Sequence, residues 1–187
     1  MKVRCVNKDK EACLVLLHGL YANSGFWLQY LSLFKNFRIY LIDLDYLNLT
    51  QEKNELVNFI FEKSKTEDIK YAIGHSFGGL FLDYCGELRI KYIGINPAHF
   101  GVRKDRSFIE HVAKKHYREI HEVSIEINEV YSKVENLGEH NSIMFAVVLA
   151  DNDEYFDYTV TSYSAIKFFS GTHFEIKEGI LEVFSLI

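Results

Sequence analysis

Ser76 stands within Gly74-His75-Ser76-Phe77-Gly78-Gly79, a G-x-S-x-G between the apolar run 69–73 and the helix-like run 80–85. That placement presents a serine hydroxyl on a sharp strand-to-helix turn, because glycines on either side let strand and helix approach without Cβ clashes. A serine hydroxyl is a weak nucleophile at neutral pH; it needs an imidazole to take its proton and a carboxylate to orient that imidazole. Two late loops offer both groups. The loop after the apolar run 144–149 carries Asp151, Asp153, Glu154 and Asp157, and Ser170-Gly171-Thr172 leads into His173 after the run 164–169. The order Ser76, Asp153, His173 is the one expected for a fold that presents its serine on such a turn. Asp153, four positions past its strand, is the preferred carboxylate; Asp151 is assigned to the turn, and Glu154 and Asp157 stay as alternatives.

A tetrahedral intermediate also needs preorganised donors for its oxyanion, commonly worth about 2.7–4 kcal/mol each. The backbone N–H groups of Phe77, next to the nucleophile, and of Leu20, in His18-Gly19-Leu20, are placed to serve. His18 is read as structural within its own loop, and His75 as a residue that packs beside the turn.

The elements that must position these groups follow from hydropathy. Residues 14–17, 37–42, 69–73, 92–95, 144–149 and 164–169 are short apolar runs, the mark of strands buried on both faces. Amphipathic segments alternate with them. Ser24 is expected to cap a helix carrying Phe26, Trp27, Tyr30, Leu31 and Phe34; Leu56, Phe59, Ile60 and Lys63 sit in another, and residues 175–187 close the chain as a third. The expected fold is therefore α/β, a mostly parallel sheet with helices on both faces, whose ligands lie at the carboxyl ends of the strands. At 187 residues, 48% of them hydrophobic, the chain suffices for one domain, 1–187. Within it, residues 98–139 carry no strand signal; Ile109, Ala113, His116, Ile120, Val123, Ile127, Val130 and Val134 describe one long or two broken helices, a cap overhanging the serine.

A net charge of −5 argues against nucleic acid as a partner. Three cysteines without CxxC spacing argue against a disulfide framework, and no run is long and apolar enough to span a membrane, so a cytoplasmic protein is expected. His111, His116 and His121 do not form a metal site: a spacing of five turns a helix by about 140 degrees, so they do not share a face. No cofactor is required by the chemistry above.

Leu14 to Trp27, reading LVLLHGLYANSGFW, together with GHSFGG, ADNDEYF and GTHF, resembles the α/β-hydrolase superfamily. Within it the opening is similar to the pimeloyl-acyl-carrier-protein methyl esterases of biotin synthesis, the BioH and BioV type, and DNDEYFDY to small YqiA-like esterases. The resemblance implies a serine carboxylic-ester hydrolase working through an acyl-enzyme, with a pimeloyl-acyl-carrier-protein methyl ester as the specific substrate. A general short-acyl esterase or thioesterase, and a hydrolase-fold binding module without turnover, are the alternatives. The chain departs from that family's usual pattern at Asp43-Leu44-Asp45-Tyr46, where Pro-Gly commonly follows Asp-Leu, and its insertion is short.

Arg103, Lys104, Arg106, Lys114, Lys115 and Arg118 reverse the local sign of an acidic protein. With Lys114, Lys115 and Arg118 on one helix face, the cluster can receive an acidic carrier protein and its phosphopantetheine phosphate. The competing reading is a solvated face balanced by Glu122, Glu126 and Glu129.

Overall fold

The computed structural model describes residues 1–86, 88, 90–98, 101–103, 105–138, 144–158 and 165–187. Seven strands form the main sheet: β1 (Lys2–Val6), β2 (Ala12–Leu17), β3 (Arg38–Asp43), β4 (Asp68–His75), β5 (Lys91–Ile95), β7 (Met144–Ala150) and β9 (Ile166–Phe169). Their spatial order is β1-β3-β2-β4-β5-β7-β9. β1 is antiparallel to β3, and every other neighbour in the sheet is parallel. The expected strand positions hold to within a few residues; Ser164, the expected start of the last, lies outside the described residues.

Both faces of the central strands are covered, which is why β2–β5 and β7 read as apolar runs, whereas the edge strands β1 and β9 are partly exposed. Cys13, Val15 and Leu17 of β2 face a core shared with α1 (Leu49–Ser64) and α2 (Phe77–Asp83). Leu14 and Leu16 face the other, filled by Trp27, Tyr30 and Phe34 and by Ile180 and Val183 of α5 (Lys177–Phe184). Residues Ser24–Phe34 form 3-10 turns whose cap is Asn23: its side chain accepts from the Gly25 N–H at 2.8 Å. Ser24, expected as the cap, instead points its hydroxyl at Asp43 Oδ2, 3.1 Å away, and so ties this segment to the end of β3.

Between β5 and β7 the chain forms β6 (Gly101–Arg103), α3 (Asp105–His116) and α4 (Ile120–Glu135). β6 corrects the strandless reading of residues 98–139: it pairs antiparallel with β8 (Phe156–Tyr158), beyond the main sheet. Neither three-residue strand has the length to register as hydropathic alternation. The two helices are broken apart at Tyr117, whose φ of 53° is left-handed, and the Arg118 N–H reaches back to the Ala113 carbonyl at 2.9 Å. The apolar stripe accordingly splits. Ile109, Ala113, Val123, Ile127, Val130 and Val134 are buried, whereas His116 and Ile120, beside the break, are exposed. Both helices share the core of α1 and α2, and Tyr131 of α4 packs edge-on to Phe77 at 5.7 Å. Among the described residues, no helix is long and apolar enough to cross a membrane.

Candidate active site

Ser76 joins β4 to α2 in a backbone conformation of φ 51°, ψ −119°, sterically costly for a residue with a Cβ. The surroundings hold it there: its N–H donates to the Ile95 carbonyl at 2.9 Å, and its own carbonyl accepts from Gly79, Leu80 and Ala98. The turn closes only because position 74 lacks a side chain. A Cβ on Gly74 would lie 2.4 Å from the Gly78 carbonyl carbon and 2.5 Å from the Gly79 nitrogen. Gly74→Ala should therefore destabilise the protein by about 3 kcal/mol, since neither backbone can yield without moving α2 off the sheet. Urea unfolding measures this; a loss under about 1 kcal/mol would mean the turn is looser than these distances require.

The three loops converge. His173 Nε2 lies 2.8 Å from Ser76 Oγ, and His173 Nδ1 lies 2.7 Å from Asp153 Oδ2. All three side chains are buried, with Ser76 5% exposed and His173 fully covered. Asp153 Oδ1 accepts the N–H groups of Tyr155 and Phe156 at 2.8 and 2.9 Å, and Oδ2 also accepts the Tyr158 hydroxyl at 2.8 Å. Burial by itself would raise the Asp153 pKa. The bond from His173, the His173 charge and these further donors outweigh it and hold the carboxyl below its ordinary value.

The other acidic residues of that loop do different work. Asp151 Oδ1 accepts the Gly171 N–H at 3.1 Å, closing the turn that leads to His173. Glu154 Oε2 accepts the backbone N–H of His173 at 2.9 Å, while Asp157 lies on the exposed side of β8. The His173 carbonyl is held from its other side by His75 Nε2 at 2.8 Å and by Asn96 Nδ2 at 3.3 Å. The imidazole is thus fixed through its own peptide as well as its ring. His75 stacks on Phe26, with ring centroids 4.6 Å apart, and burial with the nearby His173 charge lowers its pKa to about 3. It stays neutral and keeps one ring nitrogen protonated to donate.

His18 has the structural role expected of it. Its Nε2 accepts the Leu44 N–H at 3.2 Å, which leaves Nδ1 to donate to the Gly19 carbonyl at 2.8 Å, and burial lowers its pKa. Tyr46, in the segment that departs from Pro-Gly, brings its hydroxyl within 3.0 Å of the His18 carbonyl and 2.9 Å of the Gly19 carbonyl. Tyr46 thereby braces the loop carrying Leu20. Gly19 lies directly against Ser76, since a Cβ there would stand 3.5 Å from Ser76 Oγ. Leu20 follows it, and Phe77 is the first residue of α2, where a backbone N–H has no intrahelical acceptor.

Sequence reasoning missed Asn96, Tyr46, Tyr158 and the bond from His75. Asn96 carried one usable sign: a polar residue ending a buried strand must find partners, and its Oδ1 accepts the Ala150 N–H at 2.7 Å. The tyrosines carried none, because their hydroxyl partners are distant in sequence or lie around a turn. Trp27 belongs wholly to the core.

The cationic cluster does not form the single helix face expected. Arg118 falls beyond the end of α3 and pairs with Glu126 of α4, and Arg106 pairs with Glu110 at 2.8 Å. Lys114 and Lys115 are exposed, Lys115 Nζ standing 5.9 Å from the Phe174 ring centroid. Arg103 is on β6, and Lys104 lies outside the described residues.

No family model and no curated protein matches the chain by sequence. Among solved structures it is similar to the monoacylglycerol lipase of Paleococcus ferrophilus, covering 98% of this chain and 96% of that one at 15% identity, with a TM-score of 0.64. A lipase-esterase related protein from Clostridium acetobutylicum matches over 98% of both chains at 17% identity and a TM-score of 0.61. The thioesterase domain SrfTE, which cyclises the lipopeptide surfactin, matches over 99% of this chain and 96% of its own at 16% identity and a TM-score of 0.61. The chain has the α/β-hydrolase fold.

Proposed function

We propose that this protein is a serine carboxylic-ester hydrolase acting through an acyl-enzyme. The observation that carries the reading is the unbroken chain of contacts from Ser76 Oγ through both nitrogens of His173 to Asp153, at 2.8 and 2.7 Å. Ser76 Oγ attacks the ester carbonyl carbon as His173 Nε2 takes its proton, and the N–H groups of Leu20 and Phe77 hold the oxyanion. Asp153 keeps the imidazole in the tautomer whose Nε2 can accept and stabilises the imidazolium. Collapse of the intermediate breaks the ester C–O bond; the leaving alcohol takes the proton from His173. Water then attacks the acyl-enzyme with His173 again as base, releasing the acid and restoring the serine. The burial of Ser76 keeps bulk water sparse around the acyl-enzyme.

The specific substrate we assign is a pimeloyl-acyl-carrier-protein methyl ester, hydrolysed to the free carboxylate and methanol. Its support is the likeness of residues 14–27 to esterases of that kind and the exposed Lys114 and Lys115, the latter 5.9 Å from the ring of Phe174, the neighbour of His173. Hydrolysis of that ester beside a panel of free short-acyl esters and thioesters is the test. A rate advantage for the carrier-bound ester is expected. Lys114→Glu with Lys115→Glu should lower kcat/KM for it roughly tenfold while sparing a p-nitrophenyl ester, because charge reversal acts on encounter with an acidic partner. Equal effects on both substrates, or faster turnover of free thioesters, would move the assignment to a general esterase or thioesterase; no turnover of any ester would leave a binding module.

A further inference from the structure

We propose that Tyr158 is a positioning residue for this reaction, its hydroxyl sharing Asp153 Oδ2 with the catalytic imidazole and thereby setting how firmly that carboxylate holds His173. The inference rests on the assignment of Ser76, His173 and Asp153 to catalysis. Two donors meet on one oxygen: His173 Nδ1 at 2.7 Å and the Tyr158 hydroxyl at 2.8 Å. The other oxygen is tied to the backbone of Tyr155 and Phe156, so the phenol acts on the oxygen that faces the imidazole.

A donor on Oδ2 draws off part of its negative charge, and an oxygen with less charge stabilises an imidazolium less. Tyr158 therefore limits how strongly Asp153 Oδ2 stabilises the imidazolium that forms when the ring takes the serine proton. Burial and the Asp153 charge raise the Tyr158 pKa well above its ordinary value, so the phenol remains a donor over the working range.

The location of Tyr158 adds a second element to its role. It ends β8, and its register partner is Gly101 of β6, the strand that leads into α3 and α4. Phe156, at the start of β8, pairs with Arg103 and lies 5.2 Å from the His173 ring. The carboxylate is thus braced by a two-stranded ribbon shared with the helical insertion, outside the main sheet. Other titratable groups face the same cluster: His75 from β4, His111 from α3, Tyr131 from α4, and Glu154 and Tyr155 from the Asp153 loop.

The test is the acid limb of kcat/KM against pH for a p-nitrophenyl ester, measured on the whole protein. Tyr158→Phe removes the donor and should move the limb up by about one pH unit, with roughly a tenfold fall in kcat/KM at neutral pH from the looser carboxylate. Tyr158→3-fluorotyrosine keeps the hydrogen bond with a more acidic phenol and should move the limb down. It retains every heavy atom of the native side chain, so it decides the matter even where Tyr158→Phe folds poorly. Opposite shifts support the proposal. An unmoved limb, or movement in the same direction for both, makes Tyr158 a packing residue. Ser76→Ala separates the two levels: if that variant is inactive while the limbs stay put, only the role of Tyr158 falls, whereas turnover surviving in Ser76→Ala removes the catalytic assignment itself.

Discussion

Ser76→Ala is expected to lower kcat for ester hydrolysis by roughly 10^4- to 10^6-fold and to abolish covalent labelling by a fluorophosphonate. The size follows from the role. Without Oγ no acyl-enzyme forms, and the residual rate comes from the oxyanion donors and from bound water. The substitution should cost little stability, since the backbone of residue 76, which makes the structural bonds to Ile95, Gly79, Leu80 and Ala98, is retained. Mass spectrometry of the labelled protein gives a readout independent of turnover. A probe adduct that persists in the variant would place the nucleophile elsewhere.

The second large effect is expected at Asp153. Asp153→Asn should reduce kcat by about 10^4-fold with little change in overall fold. The reason lies in which oxygen is already committed. The N–H groups of Tyr155 and Phe156 demand an acceptor at Oδ1, so the asparagine amide oxygen takes that position and its NH2 group is turned toward His173 Nδ1. Nδ1 must then accept, which puts the ring proton on Nε2, where it can no longer take the proton of Ser76. Stability should change with a definite sign. The carboxyl of Asp153 is held below its ordinary value in the folded protein, so its contribution is present above the unfolded carboxylate pKa and disappears as pH falls through the folded one. Thermal melts should show the native protein ahead of Asp153→Asn at neutral pH and the gap narrowing below about pH 4. A constant gap from pH 7 to pH 3 would show that the carboxylate is not held in its ionised form by the fold.

These effects concern residues whose side chains were legible before any coordinates. Ser76 was marked by glycines at fixed offsets, His173 by its place after the last strand, and Asp153 by its distance past the strand ending near Leu149. What surrounds them was not. Asp151, Asp153, Glu154 and Asp157 are four carboxylates within seven residues, and hydropathy treats them alike. Only the curl of the loop gives one to the imidazole, one to the Gly171 N–H and one to the His173 N–H. The helical segment between β6 and β7 tells the same story from the other side. Its helical periodicity was plain, but its phase was read through Tyr117, where a left-handed residue breaks the helix and carries Arg118 away from Lys114 to Glu126.

By itself the sequence determined the alternation of buried strands and helices, the glycine-bounded turn and the chain order of Ser76, Asp153 and His173. Each is written in local chemistry: side-chain volume, hydropathic period and backbone freedom act over a few neighbouring residues. Tertiary structure alone decided that His75 and Asn96 grip the His173 carbonyl, that Tyr46 braces the loop before Leu20, and that β6 pairs with β8 beside Tyr158. Most of these contacts join groups tens of residues apart. A hydrogen bond of that kind leaves no periodic trace in either partner, because its direction is set by where the sheet delivers the two chain segments.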